Sequence, residues 1–451
     1  MKSSMTRRDL LQSTLRGAAA GASCMMGERF FSQELLAASN AGGGSGPIVV
    51  VLQLNGGNDA LNTVIPYGSA DSSIYYGARP TLSIAQAEVL PLDSEYGLHP
   101  KLTQLKGLWD LNQLAIINGV GYPNPNLSHF TSFDYWHTAE PNEQVRDGWL
   151  GRFFEHQCAN SATSLDPTIG LNVGLTETLA FRTKEKSLGV TLKDPAAHRW
   201  YGSGLAGEKG DEQALYTELI NAPVGGITSK PGLAFVEERA RNTMGSLELL
   251  GVAVDAQNAP GAAFPTAAFP DTGLGRDLKN IAGMIYADVG TCVYHVEQLG
   301  YDTHGSQAEL DGDGKPLEGR HAALLEELDG ALGAFVSEMK AQGNWDRMLL
   351  FTVSEFGRKV IENGSLGTDH GAASSLFVTG GHVQAGFYGQ MPSLAETNRI
   401  KNHSLAFNVD FRRVYRTVLQ EWLGVPEAAI STVLPTAPTS GGFATLPFIS
   451  T

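Results

Sequence analysis

With 451 residues, 42% of them hydrophobic and 18% charged, the chain has the composition of a folded protein, which excludes a disordered one. Its length allows one large α/β domain or two smaller ones. A formal net charge of -15 excludes a nucleic-acid partner, because phosphate binding needs a basic surface, and suits a protein that binds cations.

The first forty residues read as an address. Thr6-Arg7-Arg8-Asp9-Leu10-Leu11-Gln12 matches the twin-arginine export signal, so the export machinery is an expected partner and the periplasm or the exterior the expected location. The weakly apolar stretch 15–26 contains Arg16 and is too short and too polar to span a membrane. Small residues around 37–41 offer cleavage points before the Gly-rich linker 42–46. Loss of residues 1–41 removes five basic and three acidic groups and takes the charge from -15 to -17. Cys158 and Cys292 would then remain, 134 positions apart, and read as buried apolar residues rather than a disulfide. No CxxC or Cys-His spacing is present.

Beyond the linker, 47–54 (PIVVVLQL) is a continuous β-branched run, the mark of a central parallel strand. It ends in the loop Asn55-Gly56-Gly57-Asn58-Asp59. Helical spacing of Leu102, Leu105 and Leu108 predicts a helix over 99–111, followed by a strand over 114–121. The stretch 160–275 is rich in Gly, Ala and Pro around one helix at 234–250, and reads as a cap or insertion. Order returns with a helix at 277–287, a strand at 291–296, a long amphipathic helix at 318–341, strands at 347–353 and 375–379, and a last helix at 410–423. Strands alternating with helices in this way predict a doubly wound, mostly parallel α/β sheet with helices on both faces.

In such a sheet, loops after the strands converge at one edge, where open α/β folds keep their ligand sites. Four polar loops qualify: 55–63, 122–137, 300–307 and 354–371. They bring Asp59, Asp302, His304, Glu355, Asp369 and His370, carboxylate and imidazole donors suited to Zn, Mn or Fe. Ser128 stands where a helix to about residue 136 would begin, and is either an N-cap or a nucleophile facing the positive end of the helix dipole. His129 beside it reads as a packed ring. Asp59 is equally a turn residue, and Glu355 with Arg358 is either a salt bridge at a strand end or part of a catalytic set. Asp369 and His370, with glycines close on both sides, are the strongest ligand candidates. His99, His198, His295, His321, His382 and His403 are assigned to packing or surface.

The blocks GGND-LNT (56–63), RPTLSI (79–84), SHF (128–130), DGWLGR (147–152), GYDTHGSQ (300–307), SEFGR (354–358), GTDHG (367–371) and DFRRVY (410–415), with the twin-arginine leader, resemble one exported bacterial family, domain of unknown function 1501. Its members are placed as remote relatives of the alkaline phosphatase and sulfatase superfamily. That resemblance implies an alkaline-phosphatase-like fold over residues 42–451, with 160–275 as a cap insertion. It further implies a nucleophile at a helix start, matched by Ser128, and later metal ligands, matched by Asp302, His304 and His370. The chain departs from the superfamily where Asn55 ends the first strand and where Phe356 follows Glu355. A Cys-x-Pro-x-Arg or Ser-x-Pro-x-Arg signature is absent. The resulting expectation is an exported, metal-dependent hydrolase of phosphate or related esters, with Ser128, Glu355 and Arg358 as its catalytic residues. The alternative is a non-catalytic member of the fold that binds a polymer or protein partner at the cell surface.

Overall fold

A computed structural model describes residues 46–141, 145–159, 168–184, 188–198, 200, 209–221, 231–312, 314–400, 403–436 and 443–450. The export signal and its cleavage points lie outside the described residues. Among those that are described, no helix is long and apolar enough to cross a membrane.

A nine-stranded sheet runs through the molecule. In chain order its strands are β1 (Ile48–Asn55), β2 (Leu114–Gly121), β3 (Gly170–Val173), β4 (Val190–Leu192), β5 (Val293–Leu299) and β6 (Met348–Val353). A two-stranded ladder, β7 (Arg358–Glu362) with β8 (Thr368–His370), stands apart from it. The sheet closes with β9 (Ser374–Gly380), β10 (Gly386–Tyr388) and β11 (Val409–Asp410). Its order is β10-β2-β9-β6-β1-β5-β3-β4, with β11 also pairing β2. Neighbours are parallel except at β9, which runs against both β6 and β2. The fold is therefore the expected α/β architecture with a mostly parallel sheet.

The sheet sits where it does because β1 is apolar on both faces. Val49 and Val51 join one buried cluster with Phe351, Trp149 and Tyr415, while Ile48, Val50, Leu52 and Leu54 join another with Leu325, Leu328 and Phe335. The two sets alternate along the strand, as side chains on a pleated strand must. Helix α1 (Thr103–Asp110), α6 (Gly273–Tyr286) and α7 (Arg320–Ala341) contribute residues to the second cluster. Helix α2 (His129–Thr138), α3 (Trp149–Ala159) and α8 (Phe411–Thr417) contribute to the first. The predicted last helix continues past α8 as a π-helical turn, Val418–Trp422.

One expectation changes shape. The stretch 160–275 is not wholly an addition to the sheet, since β3 and β4 extend it beyond β5. These strands have only four and three residues, too few for an alternation to stand out from Gly- and Thr-rich surroundings. The helix expected at 234–250 belongs to a pair, α4 (Lys209–Asn221) and α5 (Pro231–Asn258). Cys292 is buried, and its thiol donates to Ile169 O at 3.3 Å.

At the amino end of β1, the carbonyl of Gly46 accepts a hydrogen bond of 2.9 Å from Arg347 Nε. At the opposite, carboxyl end, β1, β2, β5 and β6 deliver loops 56–59, 122–128, 300–307 and 354–357. The loops after β1 and β5 pack at backbone contact. A Cβ on Gly56 (φ +124°) would lie 2.2 Å from the amide nitrogen of Asp302, so both the dihedral and the approach require glycine there.

Candidate metal centre

The site is assembled around one buried cation. Arg358 begins β7 immediately after the β6 loop, and its side chain is fully buried. Its Nε donates to Gly57 O (2.8 Å), Nη1 to Thr368 O (2.8 Å), and Nη2 to Gly56 O, Tyr301 O (2.8 Å) and Asp302 Oδ1 (2.9 Å). One guanidinium thus ties together the ends of β1 and β5 and the strand β8. Arg358, expected among the catalytic residues, is thus placed behind Asp302, fully buried and bonded to four main-chain carbonyls and that carboxylate.

Asp302, held by this cation, lies at the centre. Burial pushes its carboxyl up, but hydrogen bonds from Arg358 and His370 and the charge of Arg358 outweigh that and hold it down at about 2. Three imidazoles surround it. Its Oδ1 lies 3.1 Å from His370 Nε2 and 3.2 Å from His304 Nε2, and its Oδ2 lies 3.5 Å from His129 Nε2. The two Nε2 atoms of His304 and His370 are themselves 2.9 Å apart. Donor atoms of His129, Asp302 and His370 all fall within 4.8 Å of one another, a spacing that can hold a metal ion.

Each ring is fixed from behind. His370 Nδ1 is 2.8 Å from Leu127 O, an acceptor only, so that nitrogen carries the proton. His129 Nδ1 lies 2.7 Å from Glu355 Oε1, and His304 Nδ1 lies 3.3 Å from Asp369 Oδ1. In the tautomer of each ring that is protonated on Nδ1, the lone pair of Nε2 faces Asp302; protonated on Nε2, the ring donates to that carboxylate instead. The Glu355 hydrogen bond raises the pKa of His129 while burial opposes it, and burial lowers that of His370. In the Nδ1-protonated tautomers, Nε2 lone pairs 2.9 Å apart beside a carboxylate repel one another unless a proton or a metal ion lies between them. Imidazoles backed by carboxylates or carbonyls and facing an anionic oxygen form the donor set of a Zn, Mn or Fe site, so the residues present fit a divalent ion.

The remaining candidates take other places. Glu355 does not face the ion position: its side chain is fully buried, and Oε1 accepts from Gly56 N (2.9 Å) and His129 while Oε2 accepts from Ser354 Oγ (3.2 Å). Its carbonyl accepts from Ser132 Oγ (2.6 Å) and Trp136 Nε1 (3.0 Å), which seats α2 so that His129 points inward. Asp369 stands behind His304, with Oδ2 on Lys359 Nζ (3.0 Å), and the Lys359 hydrogen bond leads in lowering its pKa. Asp59, also expected as a ligand, lies in a buried ion pair. Its oxygens accept 2.6 and 2.9 Å bonds from Arg79 and a 2.6 Å bond from Gln307, and the pair is sealed from solvent. Ser128 occupies the N-cap position of α2, but its side chain makes no capping bond and is exposed. It lies between Leu127, which orients His370, and His129.

His129 is the member that sequence reasoning missed. Its signal was available: a histidine at the first position of a helix that opens at the site edge, in the block SHF.

The fold and site together define an α/β protein with a histidine-aspartate cluster at the carboxyl edge of a mostly parallel sheet. Residues 279–433 match the family model described as "Protein of unknown function (DUF1501)", a stretch that contains Asp302, His304, Glu355, Arg358, Asp369 and His370. No curated protein matches the sequence. Among solved structures, the chain is similar to the PsFucS1 sulfatase from Pseudoalteromonas sp., with 12% identity over 93% of this chain and 74% of that one and a TM-score of 0.36. It is similar also to a protein in the alkaline phosphatase superfamily from Vibrio parahaemolyticus (10%, 85% and 72%, TM-score 0.32). A third is the zinc complex of the C-terminal periplasmic domain of EcEptC from Escherichia coli (10%, 75% and 74%, TM-score 0.32). At these overlaps the likeness carries no argument about chemistry, which rests on the site itself.

Proposed function

We propose that this chain is an exported, metal-dependent hydrolase of phosphate or related esters, with a single divalent ion held by His129, Asp302 and His370. The observation that carries this reading is the convergence of three imidazole Nε2 atoms on Asp302, each ring fixed through its Nδ1. Export rests on Arg7 and Arg8 in their twin-arginine context.

A divalent ion in that place would act as a Lewis acid toward an ester oxygen or a water molecule. The chain's own groups supply the rest. Glu355 and Leu127 O hold two imidazoles in the tautomer that presents Nε2, and Arg358 keeps Asp302 ionised. Ser128, exposed and capping nothing, begins a ten-residue helix whose free N–H groups favour negative charge. Its hydroxyl is the proposed nucleophile.

Metal analysis of the purified protein, paired with hydrolysis of chromogenic phosphate and sulfate esters, tests the reading. The parent should carry about one equivalent of metal, and Asp302→Asn should lose both the metal and at least ~100-fold in rate. A parent that hydrolyses esters equally well after exhaustive chelation would sink the proposal. Full metal content without hydrolysis of any ester would favour the non-catalytic, partner-binding alternative.

A further inference from the structure

The three imidazoles are not equivalent. His129 is backed by a carboxylate with no exposure, and His370 by a main-chain carbonyl. His304 is backed at 3.3 Å by Asp369, whose side chain is 44% exposed, and is itself 46% exposed, against 28% for His129 and 17% for His370. Asp369 is also shared, since Lys359 takes Oδ2 and Asn363 Nδ2 reaches Oδ1 at 3.3 Å. The compact donor group contains His129, Asp302 and His370, and His304 stands at its edge.

Yet His304 Nε2 is close to two of the three donors. Donors that share one ion at ~2.1 Å lie roughly 3.0–3.4 Å apart, and His304 Nε2 is 2.9 Å from His370 Nε2 and 3.2 Å from Asp302 Oδ1. Its main chain, by contrast, is pinned. His304 O accepts from Asn363 Nδ2 at 2.9 Å, and a Cβ on Gly367 would come within 2.3 Å of it. A fixed backbone with a half-exposed, weakly tethered ring allows a side-chain rotation without loop movement.

We infer that His304 is a displaceable fourth donor: it closes the coordination shell at rest and yields its place to an anionic oxygen of the substrate, while Asp369 and Lys359 set how readily it leaves. This rests on the metal-dependent reading above. Four protein donors make a closed, structural type of site, and three leave the open position that catalysis needs. His304 lets one site have both states. Asp369 and Lys359 are then positioning residues that act through His304.

The test uses the full chain loaded with Co²⁺, whose visible absorption reports coordination, with inorganic phosphate as the probe anion. His304→Ala and His304→Gln should keep one equivalent of cobalt, with affinity lowered by about 10- to 100-fold, and should differ from the parent in spectrum. Saturating phosphate should make parent and variant spectra converge. Asp369→Asn should keep its cobalt and reach the converged spectrum at lower phosphate. If both His304 variants lose cobalt as completely as His129→Ala, His304 is a permanent ligand and the inference falls. Identical parent and variant spectra before phosphate, or a parent spectrum that phosphate leaves unmoved, would also overturn it, as would a parent that takes up no cobalt. Converging spectra without hydrolysis of any ester would remove the hydrolase reading and leave the displaceable donor standing. Ester hydrolysis with identical spectra would do the reverse.

Discussion

Two aspartates at the same edge of the sheet have opposite fates. Asp59 and Arg79 form a sealed pair in which both carboxylate oxygens meet guanidinium N–H groups and Gln307 adds a further donor. Asp302 also touches an arginine, but through one oxygen only, and its side chain is 46% exposed. The other contacts around Asp302 are imidazole nitrogens, which present lone pairs in the tautomers protonated on Nδ1. In the first region donors and acceptors balance, and the result is structure. In the second, acceptors are in excess, and the surplus is what a cation would satisfy. Arginine beside a carboxylate is therefore no guide to role; what else the carboxylate meets decides it.

Breaking the sealed pair should have the largest effect. Asp59→Ala leaves Arg79 buried without its counter-charge and should lower stability by about 3–5 kcal/mol, read from urea unfolding of the metal-free protein. A loss below about 1 kcal/mol would remove the distinction drawn here between the two regions.

The sealed region should also contribute to acid sensitivity, alongside the buried His137 and His295, which burial lowers to about 4 and about 3. His99 and His321 lie near Asp59, with His321 Nε2 3.0 Å from Asn58 Oδ1. Burial lowers His99 to about 3 and, against the pull of Asp59, His321 to about 4. Both folded values lie below the ordinary 6.5, so the unfolded chain takes up these protons first. Stability is full above about pH 6.5 and should fall by roughly 1 kcal/mol per pH unit for each ring as pH drops toward 4. Asp59 adds to the loss below about pH 4: burial raises its pKa, but Arg79 outweighs this and holds it below its ordinary value. Replacing both rings with Gln should roughly halve the slope between pH 6.5 and 4.5, since His137 and His295 supply the rest, and an unchanged slope would assign acid lability elsewhere.

A smaller effect is expected from His370→Ala. The ring packs on Phe356 at 4.5 Å and on His129 at 4.4 Å between centroids, and it loses a hydrogen bond to Leu127 O. Metal-free protein should be destabilised by only about 1–2 kcal/mol, whereas added metal should stabilise the parent and not the variant. Calorimetry with and without Zn²⁺ separates the two contributions.

Ser128→Ala should be the quietest change to the fold, within about 0.5 kcal/mol, because the hydroxyl caps nothing. Metal content should match the parent while ester hydrolysis is lost. Retained hydrolysis would move the nucleophile's role from Ser128 to water.

Much of this architecture was legible because β1 and β6 are continuous apolar runs that end in polar, glycine-bearing loops, and that pattern marks the carboxyl edge. Asp302, His304 and His370 could be singled out because two ligand types fall within a few residues of glycine. Asp59 has the same local signature, and only its partner Arg79, twenty positions on, reveals the difference. Arg358 could not be read as a backbone clamp, because four of its five acceptors are main-chain carbonyls, which carry no residue identity. His129 escaped notice for a related reason: a histidine at a helix start is an ordinary packing residue until Glu355, 226 positions away, is placed behind it.

The bond from Arg347 to Gly46 has a practical consequence. It fixes the chain's entry into β1 at the edge farthest from the histidine cluster, eight strand residues or roughly 25 Å away. An affinity tag, fluorophore or solid support attached ahead of Gly46 would thus grip the molecule from its rear. Protein captured that way would display the cluster outward, ready for screening against insoluble or polymeric ligands.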